Sequence, residues 1–364
     1  MYRVIIEPEQ PLLFGKPALG NYRSSLPFVP GTNLRGAIAS QLDRDAYADL
    51  FLHQESIFFN AYPTSSPEND ELPRYFPPSA VTCKHFPGTG EKDHGVKDTF
   101  LDSFLSYVKN ATFVATCPEC NESARSHDGI INGGNEDGLT LLNYVSTTHV
   151  GISRKRRVAQ DGFLYTRVGI VQKVEEDEKG KKDKVSLYFV GLANLPEELA
   201  EMFDNENGTI LHVGANRRRG MGRIRVKIEE WTEPRRWQNL ETRCKQLTEL
   251  LAPDSQEVLF TLDTLTPWVP DPFTGSEHPL QGQPAELLFS NTQTELATGW
   301  HHVAGLPRRS YPSVKGTFLY RTASPELVER LHQSQLGLEQ DRGYGLMIVC
   351  DPYHTERMDN HVDA

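Results

Sequence analysis

Gly214-Ala215-Asn216-Arg217-Arg218-Arg219-Gly220-Met221-Gly222-Arg223-Ile224-Arg225-Val226-Lys227 is the stretch from which the rest of the chain can be read. Residues 222–231 predict a strand in which Ile224, Val226 and Ile228 alternate with Arg225 and Lys227, one face buried and the other basic. Ahead of it, Gly214, Gly220 and Gly222 allow positive φ and close backbone approach, while Arg217, Arg218 and Arg219 supply charge and planar donor forks. The same grammar returns near the other end. Arg342-Gly343-Tyr344-Gly345 precedes the apolar strand 346–349 as Arg219-Gly220-Met221-Gly222 precedes its own, each after a short helix. This echo points to duplication of one βαββαβ unit, and coincidence is the competing account of so short a match.

Working outward, residues 2–7 read as a first strand, and 30–42 as a helix with Thr32 or Asn33 as its cap and Leu34, Ile38 and Leu42 as its apolar stripe. Residues 56–60 are a compact strand. From 63 to 143 the chain is rich in Pro, Gly, Asp and Ser, with one helix over 96–108, and reads as an insertion with its own stabilising device. Strands follow over 144–152, 162–172 and 185–191, the charged run 175–184 forming a solvated hairpin tip. A helix over 196–203 and a strand over 209–213 lead into the arginine-glycine loop. Trp237, Leu240, Cys244, Leu247 and Leu251 mark a linker helix, followed by strands over 257–265, 284–290 and 314–321 and a helix over 325–335. A chain of 364 residues suits two domains: 1–233, containing the insertion 63–143 and a hairpin 144–190, then a linker 234–255 and a second domain 256–364.

The formal net charge is −11, so the chain cannot coat nucleic acid indiscriminately; binding must use local basic strips. Six basic residues fall within 217–227. A P-loop requires Gly-Lys-Ser/Thr where Gly220 is followed by Met221, and a dinucleotide fingerprint requires a third glycine where Arg225 stands. A phosphate-backbone cradle remains, against the plainer reading of a tight turn with a solvated basic rim. Three consecutive arginines repel one another without an anionic partner, which favours the cradle. A second strip, Arg154-Lys155-Arg156-Arg157, lies at a predicted hairpin turn, with Phe163 and Tyr165 available to stack on bases. It reads more weakly as a nuclear-localisation run.

Five cysteines at irregular spacing do not make a secreted disulfide framework. No run approaches the length of a membrane span and no leader pattern opens the chain, so the expectation is a cytoplasmic, soluble protein. Cys117-Pro118-Glu119-Cys120 is a CxxC knuckle with Cys83-Lys84-His85 upstream in the same insertion. Cys83, His85, Cys117 and Cys120 are the proposed zinc ligands, with His94 or His127 as alternatives for the fourth; a redox pair or two ordinary thiols are the competing readings. Cys244 and Cys350 read as core residues. His53, His149, His301 and His302 show no partner spacing, and no nucleophile elbow, HExxH or paired-carboxylate motif is present, so no catalytic residue is assigned.

Val29-Pro30-Gly31-Thr32-Asn33-Leu34-Arg35-Gly36, Arg219-Gly220-Met221-Gly222-Arg223, and Gly305-Leu306-Pro307-Arg308-Arg309 with Lys315-Gly316-Thr317-Phe318-Leu319-Tyr320 together resemble the RAMP superfamily of CRISPR-associated proteins. Residues 149–165, the Cys-His and CxxC insertion and the ending 343–354 look most like the type III-D subunits that occupy the 5′-tag-binding position of the effector complex. The resemblance implies an α+β chain of two ferredoxin-like (RRM-related) domains in tandem, the first with a zinc-knuckle insertion and a β-hairpin thumb. It implies a non-catalytic subunit in antiviral defence that holds the repeat-derived 5′ tag of the crRNA, meets the large polymerase-like subunit, caps the backbone RAMP filament and touches target RNA only indirectly. The RNA-contact candidates are Gly31, Asn33, Arg35, Arg154, Lys155, Arg156, Arg157, Arg217, Arg218, Arg219, Gly220, Gly222, Arg223, Arg308 and Arg309. No RNP-type aromatic motif occupies a central strand, so the grip is expected from loops and hairpin. The alternative is a metal-independent endoribonuclease processing CRISPR precursor RNA; a metal-supported protein adaptor without RNA contact is a third class.

Overall fold

The computed structural model describes residues 1–15, 21–54, 56–88, 92–117, 119–127, 129–131, 142–153, 155–178, 181–205, 207–297, 300–301, 306–307 and 310–357. The fold is mixed α+β with antiparallel main sheets, and contacts divide it into two compact units, Met1–Pro73 with Asn132–Thr232, and Arg74–Ile131 with Glu233–Ala364. Among the described residues no helix is long and apolar enough to cross a membrane.

In the first unit the alternation read from the sequence builds the central sheet. Val4 and Ile6 of the Tyr2–Pro8 strand and Ile224, Val226 and Ile228 of the Arg223–Glu230 strand are buried together on one face. The sheet order is Thr209–His212, Arg223–Glu230, Tyr2–Pro8, Tyr188–Asn194 and Ile57–Phe58, with Tyr62–Thr64 also pairing Tyr188–Asn194. In chain order this is strand, helix Gly31–Ala39, the short edge strands, strand, helix Glu197–Glu201, strand, with the last long strand returning beside the first. The opposite face of Arg223–Glu230 carries the expected basic residues, and neighbouring glutamates pair with them. The pairing sets Glu7 opposite Arg225, and Arg225 and Arg223 reach Glu9 at 2.5 and 2.6 Å. Lys227 pairs with Glu229 at 3.0 Å.

Helix Gly31–Ala39 starts ahead of both expected caps, Thr32 and Asn33: Pro30 holds the N-cap without a side-chain bond, and the Gly31 amide donates to Asn60 Oδ1 at 3.1 Å. A Cβ at Gly31 would lie 1.9 Å from the Phe58 carbonyl oxygen, so this close approach needs glycine. Leu34 and Ile38 are buried, and Leu42 packs against the same core. A separate three-stranded sheet runs Tyr144–Ile152, Ala159–Ile170 and Tyr22–Ser24, its last pair parallel. The charged run forms the expected hairpin, Lys173–Glu178 with Lys181–Ser186.

The second unit's sheet runs Glu286–Ala297, Tyr311–Thr322, Val258–Thr264, Met347–Val349, again with the last strand beside the first. Among the described residues no helix lies between Val258–Thr264 and Glu286–Ala297. Helix Phe100–Val108, from the insertion, supplies apolar cover instead: Phe100, Leu101 and Phe104 join the core of Phe260, Leu262, Phe318 and Tyr320, and the Phe100 and Phe104 rings lie 5.5 and 6.0 Å from Phe289. This explains why residues 74–131, assigned by sequence order to the first domain, pack with the second unit: an apolar helix face goes where uncovered sheet is available. Helix Leu240–Leu251 buries Cys244 and Leu247 against the same core.

Polar locks reinforce that packing. Arg74 meets Asp351 at 2.8 and 3.0 Å. His354, 2 % exposed, donates from Nδ1 to Asp98 Oδ2 at 2.7 Å and from Nε2 to Asp263 Oδ1 at 2.8 Å. Burial pushes the His354 imidazole down, but the two carboxylates more than offset that and hold it well above the ordinary histidine range.

Candidate nucleic-acid interface and candidate metal centre

The arginine-glycine loop has a defined backbone. Asn216 and Gly220 adopt left-handed φ of 64° and 77° on either side of a 3₁₀ turn, Arg217–Arg219. The loop is tied down by the Ala215 amide donating to the Leu13 carbonyl and the Gly222 amide donating to the Pro11 carbonyl, both at 2.9 Å. At Gly222, φ is +88° and a Cβ would lie 2.2 Å from the Val213 carbonyl oxygen. The backbone is therefore closed inward and the side chains are turned out. Arg217, Arg218 and Arg219 are exposed. Among the described residues Arg217 and Arg218 form no ion pair or side-chain hydrogen bond, and Arg219 Nη1 donates to Tyr165 Oη at 2.6 Å. Gly220 is exposed, with open space where a Cβ would stand.

Tyr165 belongs to the Tyr144–Ile152/Ala159–Ile170 hairpin, whose register sets His149 opposite Tyr165. The two rings stack with centroids 5.1 Å apart and an interplanar angle of 24°. The turn carries Lys155, Arg156 and Arg157, all exposed, with Arg157 at φ 56°. Arg154, Arg308 and Arg309 lie outside the described residues, as does the side chain of Phe163.

Other candidates are placed differently. Gly31 is buried under Phe58, and Asn33 is half-buried on the helix. Arg35 is engaged inside the unit: it donates to the Ser56 and Phe51 carbonyls at 3.3 and 3.4 Å, and its guanidinium lies 5.2 Å from the Phe51 ring centre. Arg223 is paired with Glu9. Among the described residues, positive charge without a carboxylate partner is concentrated at 217–219 and 155–157, and Arg35 and Arg223 leave that set because neighbouring segments supply their partners. Arg23 and Arg167 were missed by the sequence reading. Each is an isolated arginine in a strand, and only the parallel register Arg23↔Arg167 brings them together.

The thiols converge as the sequence predicted, with one change. The ligand atoms of Cys83, His94, Cys117 and Cys120 all lie within 4.8 Å of one another. His94 takes the place expected of His85. Cys83 ends the Ala80–Cys83 strand, whose antiparallel partner Val96–Asp98 returns residue 94 to the sulfurs, and the Phe86 ring packs 4.6 Å from His94. His85 points elsewhere, more than half exposed and 3.9 Å from Glu122. His127 packs edge-on against Phe76 at 4.8 Å.

The electrostatics suit a cation. Burial pushes the Cys83 thiol up, and the Phe86 and His85 amides with the Cys120 and Cys117 sulfurs overcome it, bringing Cys83 down to about 6. The Glu122 amide pulls Cys120 down, but burial and the other two sulfurs raise it to about 11. His94 is raised, chiefly by its contact with Cys117 at 3.2 Å. Three sulfurs and one imidazole nitrogen are a donor set that could hold a metal ion in tetrahedral geometry. Cys244 and Cys350 are buried core residues with their sulfurs 2.9 Å apart.

No protein-family model matches the sequence. No curated protein matches it either. Among solved structures the chain is similar to a chain of the type III-B Cmr-beta complex bound to cognate target RNA and AMPPnP, with a TM-score of 0.44 and 10 % identity over 90 % of this chain and 88 % of that one. It is similar to a chain of the Csm3-Csm4 subcomplex of the type III-A interference complex (TM-score 0.30, 10 % identity, 88 % and 92 % covered) and to oligomeric Cmr4 from Pyrococcus furiosus (TM-score 0.26, 12 % identity, 64 % and 98 % covered). These are all type III CRISPR-Cas proteins.

Proposed function

We propose that this chain is a non-catalytic RNA-binding subunit of a type III CRISPR effector ribonucleoprotein, of the type III-D kind, that holds the repeat-derived 5′ tag of the crRNA beside the large subunit and caps the backbone filament. The observation that carries the reading is the exposed Arg217-Arg218-Arg219 turn, without a carboxylate partner among the described residues, on a backbone closed by glycines, in a chain of net charge −11. Both units are read as ferredoxin-like RAMP domains, supported by a last strand that returns beside the first in each sheet. The 144–170 hairpin is read as the thumb. Zinc is assigned to Cys83, His94, Cys117 and Cys120, where it would cross-link the insertion's strands to its knuckle.

Purifying the complex and sequencing its RNA tests the main claim; absence of repeat-derived 5′ tags overturns it. Elemental analysis of fresh protein tests zinc: one equivalent is expected, with loss of metal in Cys117→Ser, and a clearly sub-stoichiometric content removes the assignment.

One observation favours an endoribonuclease as the second reading: His149 is stacked on Tyr165, which Arg219 contacts, so an imidazole lies beside the basic surface. Specific cleavage of repeat RNA by the isolated protein, lost in His149→Ala, would put this reading first.

A further inference from the structure

Three arginines from distant parts of the first unit meet around one aromatic pair. Arg167 lies on the Ala159–Ile170 strand with its guanidinium 4.8 Å from the Tyr165 ring centre. Arg23 comes from the parallel neighbour Tyr22–Ser24, in register with Arg167. Arg219 comes from the arginine-glycine loop and donates to the Tyr165 hydroxyl.

This cluster lacks what other arginines of the unit have. Arg223 and Arg225 are matched by Glu9 and Glu7, and Arg3 by Glu229. Among the described residues Arg23, Arg167 and Arg219 form no ion pair with a carboxylate, and Arg167 Nη1 is buried without a hydrogen-bond partner. Burial lowers Arg167, Tyr165 opposes this, and the charges of Arg219 and Arg23 lower it further. A buried guanidinium nitrogen with no acceptor, beside two like charges, is a standing cost that an anion would remove. The rings add a second kind of surface. Tyr165 and His149 lie nearly parallel, and stacked flat faces next to guanidiniums suit a nucleobase adjoining a phosphate. An acidic peptide would satisfy the arginines and leave the ring pair without a role.

We propose that Arg23, Arg167 and Arg219, with the Tyr165–His149 pair, form a one-nucleotide seat for single-stranded RNA, the guanidiniums taking a phosphodiester and the rings stacking the adjoining base. The seat rests on the RNA-binding reading above and is independent of which RNA is bound. Arg217 and Arg218 attract the strand; the seat fixes its register.

The test uses the full chain and a fluorescein-labelled single-stranded oligoribonucleotide, titrated over a salt series. Arg167→Gln is expected to weaken binding about tenfold and to flatten the log–log salt slope by about 0.7, with an unchanged melting temperature. A 4-thiouridine-containing RNA is expected to cross-link at Tyr165 or His149. If Arg167→Gln lowers the melting temperature, Arg23→Gln, at an exposed strand residue, carries the same measurement. Wild-type affinity in both variants, while Arg217→Gln/Arg218→Gln weakens binding, overturns the seat and leaves the RNA-binding reading standing. No binding by the wild-type chain overturns both. Polyglutamate competing as well as unlabelled RNA, with its binding lost in Arg167→Gln, replaces the seat by an acidic-peptide site.

Discussion

The loops 214–222 and 337–345 share a backbone and differ in chemistry. Gly214, Gly220 and Gly222 have φ of 72°, 77° and 88°, and Gly337, Gly343 and Gly345 have 87°, 81° and 78°. Asn216 and Glu339 are both left-handed, at 64° and 60°, and each precedes a 3₁₀ turn, Arg217–Arg219 or Gln340–Arg342. The anchors also correspond. Ala215 and Gly222 donate to Leu13 and Pro11, and Leu338 and Gly345 donate to Val269 and Pro267. The side chains part company: Gln340 and Asp341 hold the turn positions that Arg217 and Arg218 hold in the first loop, and Arg219 reaches a tyrosine on the hairpin, whereas Arg342 is 5 % exposed, pairs with Glu339 at 2.6 Å and lies 5.7 Å from the Tyr344 ring centre. Glycines and carbonyl anchors set the loop, which leaves its side chains free to serve either an open charged surface or a closed internal pair. One copy carries charge outward and the other folds it in.

The contrast extends to the histidines and gives the largest expected effect. His354→Ala leaves Asp98 and Asp263 buried without their cation and is expected to destabilise the second unit by about 3–5 kcal/mol, read by urea melts with hydrogen exchange, while His149→Ala leaves stability unchanged. Because the His354 pKa is raised in the folded state, its stabilisation is fully present below the unfolded value of about 6.5 and is lost as pH rises through the folded value. The second unit's melting temperature should therefore fall on the alkaline side of neutrality, and His354→Gln should remove that component.

Next in size are the glycines. Gly345→Ala and Gly222→Ala place a Cβ 1.9 and 2.2 Å from the Leu336 and Val213 carbonyl oxygens at positive φ, and each is expected to destabilise by about 2–4 kcal/mol. A large loss in one unit with none in the other would break the equivalence of the loops. Arg342→Met strands Glu339 and is expected to lower stability by about 1–3 kcal/mol, whereas Arg219→Met should leave the melting temperature alone and weaken RNA binding. Smallest in stability and sharpest in function, Arg217→Gln/Arg218→Gln should melt like the wild type and lose about 1.4 units of salt slope for single-stranded RNA. An unchanged slope would mean that the open loop is no more a phosphate site than the closed one.

Much of this contrast was legible in the chain. Positive φ at tight approaches admits little besides glycine, so both loops announced themselves by Gly-x-Gly after arginine. Period-two alternation exposed the strands, and the CxxC spacing exposed most of the candidate metal centre. His94 was not chosen over His85 because sequence proximity to Cys83 is a poor guide once a hairpin returns a later residue to the strand's end. Arg35 and Arg223 stand among the RNA-contact candidates in the sequence because their partners, the Phe51 and Ser56 carbonyls and Glu9, come from other segments.

By itself the sequence determined the local conformations: where the backbone must turn left-handed, which strand faces are apolar, which thiols can gather and where arginines are dense. Only the tertiary structure decided which of those arginines keep their charge. Glu7 and Glu9 neutralise one strand, Glu339 closes one loop, and Arg23, Arg167 and Arg219 meet with no carboxylate partner among the described residues. Tertiary packing also gave helix Phe100–Val108 to the second unit, since an apolar face specifies burial without specifying a partner. Charge pairing and helix docking depend on distances between residues far apart in the chain, which no local pattern encodes.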